Sequence, residues 1–221
     1  MKAELVKENL SKETILESLN WRYATKAYDK TRKISAEDWA TLERSIALAP
    51  SSFGIQPYKL LVVNDPETRE QLRAAAYDQA PVTDASHFVV FAYKRTLTDA
   101  DIEHFAERIA EVRGQTRESL KDYENVMKGA ARRATEGGTI EIWNSRQAYI
   151  ALGFLLETAA LLGVDATPME GFDAAKFNEI LGLEDYSAVA IAALGYRDAA
   201  NDWLANLPKV RKPESELVET V

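Results

Sequence analysis

The stretch from Ile140 to Leu162 constrains this chain more than any other. Its spacing is helical, with Gly137-Gly138 breaking the pattern before it and Gly163 stopping it. Trp143, Tyr149, Leu152, Leu155, Leu156, Ala159 and Leu162 spread over more than one face of that helix. One packing surface cannot cover them all. The helix must therefore be buried on more than one side, and the expected solution is a core completed by a second subunit.

The rest of the pattern supplies the layers. Tyr58 to Val63, His87 to Tyr93 and Ala188 to Tyr196 read as buried strands. Ser11 caps a first helix carrying Ile15, Leu16 and Leu19, and Ser35-Ala-Glu-Asp38 opens a second carrying Trp39, Leu42 and Ile46. Glu67 to Ala76 and Asp173 to Leu181 read as short helices. Thr98 to Asp101 caps a helix with Ile102, Phe105, Ile109 and Val112 on one face. From Gln115 to Thr135 the pattern is helical but polar, and the stretch from about Gln115 to Gly138 is expected to form a mobile cover. Val164 to Ala166 is strand-like, and Thr167 to Phe172 reads as a loop before the next helix. Pro208 and Pro213 make the tail from Asp198 extended rather than helical. Helices and strands in this irregular alternation predict an α+β fold, a sheet covered by helices on both sides.

Composition narrows the chemistry. The 221 residues carry 27 Lys and Arg against 35 Asp and Glu, a net charge of −8, which argues against a general nucleic-acid binder. There is no Cys, so disulfides, thiol nucleophiles and thiolate-held metal or iron–sulfur centres are excluded. His87 and His104 are the only two histidines; the first reads as a strand residue, the second as a solvated one, and no metal site is expected. The polar N-terminus and the short apolar runs predict no membrane span and a soluble cytoplasmic protein. Neither a G-x-G-x-x-G nor a phosphate-cradling G-x-x-x-x-G-K-[ST] motif occurs, and G-x-S-x-G is absent.

Cations remain, in two distant places: Arg22 and Lys26 after the first helix, and Lys209, Arg211 and Lys212 in the tail. Together they suit a phosphate. They also suit two solvated surface patches, and spacing alone does not separate the two. The loop Ala49 to Pro57 adds the hydroxyls of Ser51 and Ser52, the Gln56 amide and exposed backbone N–H groups. Pro168-Met169-Glu170-Gly171 adds a segment where glycine permits close approach to a ligand edge.

Five segments in this order resemble the FMN-dependent nitroreductase family, and within it the branch of oxygen-insensitive NAD(P)H nitroreductases and dihydropteridine reductases. They are Arg22-Tyr-Ala-Thr-Lys26-Ala-Tyr-Asp29, Ala49-Pro-Ser-Ser-Phe-Gly-Ile-Gln-Pro57, Asp84-Ala-Ser-His87, Pro168-Met-Glu-Gly171 with Phe172-Asp173, and Leu207-Pro-Lys-Val-Arg211. The resemblance runs from about residue 11 to the C-terminus. It implies one domain over residues 1–221, with a central, mostly antiparallel sheet flanked by helices. It implies an intertwined homodimer in which the tail from about residue 198 packs on the partner.

By the same resemblance, the chain binds FMN and takes hydride from NADPH or NADH. Arg22, Tyr23, Ala24, Lys209 and Arg211 would surround the FMN phosphate, and Lys26 would reach the N1/C2=O edge, where a cation stabilises reduced flavin. Pro50, Ser51 and Ser52 would come from the other subunit. The Pro168, Met169, Glu170 and Gly171 segment would bring the Glu170 backbone N–H to N5. No side chain is expected to be catalytic, since flavin N5 carries the chemistry. Tyr123 and Met127 would line the substrate channel. Two positions depart from the family pattern: Asp78 stands where Asn is usual and would accept from flavin N3–H, and Pro81 stands where Gln or Lys is usual and offers no donor. The implied activity is ping-pong reduction of a nitroaromatic, quinone or similar electron-poor acceptor. Enone, pterin or flavin reduction on the same fold, and flavin sequestration with little turnover, stay open at this stage.

Overall fold

The computed structural model describes residues 9–221. Four strands form one antiparallel sheet: β1 (Tyr58–Val62), β2 (His87–Lys94), β3 (Asp165–Met169) and β4 (Tyr186–Gly195), in spatial order β1-β2-β4-β3. Among the described residues nine α-helices accompany it: α1 (Lys12–Trp21), α2 (Ala36–Leu48), α3 (Pro66–Ala75), α4 (Pro81–Asp84), α5 (Asp99–Arg113), α6 (Lys121–Glu136), α7 (Ile140–Leu161), α8 (Ala174–Ile180) and α9 (Glu214–Leu217).

The two central strands are apolar at nearly every position because both of their faces are covered. Phe88, Val90, Ile191 and Ala193 point to one side, where Leu72 of α3 and Phe177 of α8 close the core. Val89, Phe91, Ala190, Ala192 and Leu194 point to the other, against Leu42 and Ile46 of α2 and Ala148, Ala151, Leu155 and Ala159 of α7. The alanines let α7 lie close over the sheet. A third cluster, with Ile102, Ala106, Met127, Ala131 and Ile140, holds α5 and α6 to the start of α7.

Local chemistry accounts for the helix ends. Ser11 and Ser35 accept from the backbone N–H groups of Thr14 and Asp38. Thr98 and Asp101 form a reciprocal capping box at α5. Gly114 ends α5 at φ 64°, a left-handed conformation costly for a residue with a Cβ.

Two expectations are corrected, and one short helix is added. Pro168 lies inside a strand rather than a loop, which an edge strand permits because a missing N–H can face outward. The tail contains a one-turn helix, Glu214–Leu217, directly after Pro213. Pro81 starts another, Pro81–Asp84, that the apolar pattern does not announce.

The long helix is two-sided, as its sequence demands. While its inner face covers the sheet, Ile142, Tyr149, Ile150, Phe154, Leu161 and Leu162 stay exposed at 37–51%. No helix among the described residues is long and apolar enough to cross a membrane.

His87 stacks flat on Trp39, with ring centroids 4.0 Å apart, and its Nδ1 lies 3.0 Å from Ser86 Oγ. Burial, and then the nearby Arg69 and Lys33 cations, push its pKa down to about 4. The folded ring stays neutral while the unfolded chain takes up a proton near pH 6.5. Stability should thus be flat above that pH and fall between about 6.5 and 4. Unfolding free energies from urea titration at pH 7 and pH 5 should differ by roughly 1–2 kcal/mol, discounted for solvent access, and His87→Phe should remove most of the difference. An undiminished difference in the variant would assign the pH dependence to other groups.

Candidate functional site

The site is organised by the irregular segment between α1 and α2. Asp165, the first residue of β3, is 3% exposed. It accepts from the backbone N–H and Nε of Arg197, each at 2.8 Å, and from Thr25 Oγ1 at 3.2 Å. The Arg197 guanidinium lies over the Trp21 and Tyr23 rings, 4.2 and 4.5 Å from their centroids. Thr167 donates to the Thr25 carbonyl at 2.7 Å, and buried Tyr28 donates to the Ala193 carbonyl at 2.8 Å. These bonds hold residues 22–28 against β3.

Asp202, 4% exposed, holds the same segment from the other side. Burial opposes its ionisation, but donors from Lys26, Leu204, Tyr23 and Ala27 outweigh burial and keep its pKa below the ordinary carboxylate range. The Tyr23 phenol is pushed up to about 12 by burial and by its bond to Asp202.

The consequence is a convergence of positive charge. Tyr23, Ala24, Lys209 and Arg211 line one cavity of about 540 Å³. Arg22 is lowered by burial and then by Arg211; Lys209 is lowered by burial and then by Arg211 and Arg22. Among the described residues none of these three cations makes an ion pair, and Arg22 Nε is buried with no partner. Cations gathered without an acid, around an orphaned buried N–H donor, fit a bound phosphate. Lys26, exposed, is fixed at its backbone by a 2.7 Å bond to Asp202.

At its far end β3 presents a second feature. In an antiparallel ladder, backbone polar groups point alternately to the neighbouring strand and away from it. With β4 on one side only, Pro168 turns its nitrogen to the open edge, and Glu170, two residues on, has its N–H on that edge too. Among the described residues nothing accepts that N–H. Pro168, Met169 and Glu170 line a cavity of about 420 Å³ with Tyr149, whose phenol donates to Glu170 Oε1 at 2.5 Å. Burial and that carboxylate raise the Tyr149 pKa, so the phenol keeps its proton. Gln79 donates to the Gly171 carbonyl at 2.7 Å and ties this segment to the turn holding Tyr77 and Asp78. Both turn residues have positive φ, 54° and 57°, and Asp78 is exposed.

Pro50, Ser51 and Ser52 line neither of these cavities. Their loop is held by the Ser52 N–H bond to Gln147 Oε1 at 2.8 Å and the Gln56 N–H bond to Ser51 Oγ at 2.9 Å. Phe53 and Gln56 adopt φ of 57° and 51°, strain that such an over-determined loop can hold. Tyr123 donates to the Phe53 carbonyl at 3.3 Å, with the two rings edge to face. Met127, expected beside Tyr123 in a channel, is fully buried and packs beneath α5 instead. Pro81 is buried at the start of α4.

The sequence reading missed Asp165, Arg197, Asp202, Gln79 and Gln147. Gln147 alone carries a signal, being an amide on the apolar long helix; the others pair with residues far away in the chain.

An α+β fold with unpaired cations at one end of an edge strand and a free backbone donor at the other suits a long, phosphate-bearing ligand. Comparisons with known proteins show the family. Residues 19–196 match the family model described as the Nitroreductase family. A Staphylococcus epidermidis protein provisionally named an NAD(P)H nitroreductase is 33% identical over 225 residues, covering 96% of this chain and 99% of that protein. In structure, the chain is similar to a provisionally named nitroreductase of Bacillus subtilis, with a TM-score of 0.81, 24% identity, and 95% and 99% of the two chains covered. It is also similar to one from Exiguobacterium sibiricum solved in complex with FMN, with a TM-score of 0.76, 21% identity, and 97% and 99% covered. The chain belongs to the nitroreductase family and is an oxidoreductase.

Gln147 is 6% exposed and also donates to the Trp143 carbonyl at 2.9 Å. Gln147→Leu should leave the Ser52 N–H unpaired and cost roughly 1–3 kcal/mol in urea unfolding. A loss within about 0.5 kcal/mol of zero, the scatter of ordinary surface changes, would show that the loop does not depend on this bond.

Proposed function

We propose that this chain is an FMN-dependent reductase, one domain working as a homodimer, that takes hydride from NADPH or NADH and delivers it in a ping-pong cycle to an electron-poor acceptor such as a nitroaromatic or a quinone. The observation that carries this reading is the set of unpaired cations around the orphaned Arg22 Nε, set at one end of the strand whose other end offers a free Glu170 N–H.

FMN supplies a two-electron hydride carrier, chemistry that no side chain here provides. Arg22, Lys209 and Arg211 hold its phosphate, with Tyr23 and Ala24 walling the same cavity. Lys26, Asp78 and the Pro168–Gly171 backbone would hold the flavin ring system. Lys26 contributes a positive charge where reduction places a negative one. Asp78 has no donor when ionised and serves only as an acceptor.

Two observations favour the dimer. The exposed apolar face of α7 needs a cover, and the Pro50–Ser52 loop lines neither cavity of its own chain. A partner's loop would complete the site. Leu207, Val210, Leu217 and Val218 in the tail, each more than half exposed, supply further surface for that contact.

Purified protein should show a flavin absorption band that bleaches on anaerobic mixing with NADPH or NADH and returns on adding a nitroaromatic or quinone. No band after adding FMN sinks the reading; a band that never bleaches makes the protein a flavin binder without this activity. Arg22→Ala and Arg211→Ala should each weaken FMN binding by roughly 1.5–3 kcal/mol, the smaller loss falling on exposed Arg211. Unchanged affinity in both would remove the phosphate from this cradle.

A further inference from the structure

We infer that Asp202 is a positioning residue for flavin binding. Its buried carboxylate locks the Arg22–Lys26 segment to the tail that carries Lys209 and Arg211, and so sets the preference for a phosphorylated flavin over an unphosphorylated one. This inference rests on the phosphate reading above.

One carboxylate spans both cation-bearing segments. Oδ2 accepts from the Lys26 N–H at 2.7 Å, the Tyr23 phenol at 2.9 Å and the Ala27 N–H at 3.4 Å. Oδ1 accepts from the Leu204 N–H at 2.9 Å, at the start of the turn that leads to Lys209 and Arg211. These contacts reach 176 and 179 residues back along the chain. Asp202 makes no hydrogen bond to any of the three cations, so it positions them through the backbone without consuming their donors.

The need for such a lock follows from charge. Burial first, and then Arg211, lowers both Arg22 and Lys209, and Arg22 lowers Lys209 further, so like charges face one another here. Without a ligand, like charges at the mouth of a cavity push the two segments apart. A carboxylate bound to both backbones opposes that separation and keeps the cradle assembled before the anion arrives, which is preorganisation. An amide in place of this carboxylate would present one acceptor oxygen instead of two and turn an NH₂ toward donors.

The experiment compares FMN with riboflavin, which lacks the phosphate, by titrating apoprotein of the wild type, Asp202→Asn and Tyr23→Phe. The wild type should bind FMN much more tightly. Asp202→Asn should lose about tenfold or more of that preference, with riboflavin affinity unchanged. Tyr23→Phe, which removes one donor and keeps the ring, should lose about fivefold. A general loosening of the fold would weaken both flavins alike. Equal loss of the two ligands, or an unchanged ratio, overturns the role of Asp202. Should Asp202→Asn not fold, an unchanged ratio in Tyr23→Phe overturns it as well. Equal binding of FMN and riboflavin by the wild type overturns the phosphate reading itself, a separate outcome from failure of the lock.

Discussion

The structure depends on the attachment of the irregular segment 22–28 to the start of β3. Nothing in that segment stabilises itself. It has no helix, makes one isolated bridge, Tyr28 with Arg197, and carries cations that repel others in the tail. Its shape comes from outside, from Asp165 at the base of a strand, from Asp202 beyond the last strand, and from Thr167 and the Ala193 carbonyl, which meet its Tyr28. Both carboxylates are almost fully buried, yet each is satisfied by several donors, the condition under which buried charge is tolerated.

That arrangement resolves an apparent contradiction of charge. The chain is acidic overall, and an acidic surface repels phosphate. The acids beside the proposed cradle face inward and are consumed by backbone donors, the Tyr23 phenol and Arg197. Arg22, Lys209 and Arg211 keep their charge available. An orphaned Arg22 Nε inside a well-packed fold is costly unless a ligand meets it, and this ties the geometry to binding.

The same constraint governs the sheet and α7. β3 sits at an edge, so Pro168 can stand in a strand and the Glu170 N–H remains open to a ligand. α7 lays its alanines on the sheet and leaves Ile150, Phe154 and Leu161 outward. A helix apolar all round is stable only when covered all round, and the surface left over is the one a second copy would cover.

Elements and their order were legible from local rules. Ser11, Ser35 and Thr98 announce helices because a cap bonds a backbone N–H three residues away. His87 and Ala188 begin or enter strands because their apolar runs fit a sheet covered on both faces, whereas the Tyr58 run, expected to be buried, forms a partly exposed edge strand. The order of the five motif segments pointed to the family, and with it to Arg22, Lys209, Arg211 and Glu170. Tertiary structure alone decided what those segments touch. Met127 shares a helix turn with Tyr123, yet depth beneath α5 sends one into the core and leaves the other at the surface. Asp202 and Lys26 meet across 176 residues, and Gln79 and Gly171 across 92, at distances no periodicity encodes. Capping and alternation act over a few residues and can be read along the chain, whereas the shape of the cradle comes from long-range hydrogen bonds that exist only once the sheet has set its strand order.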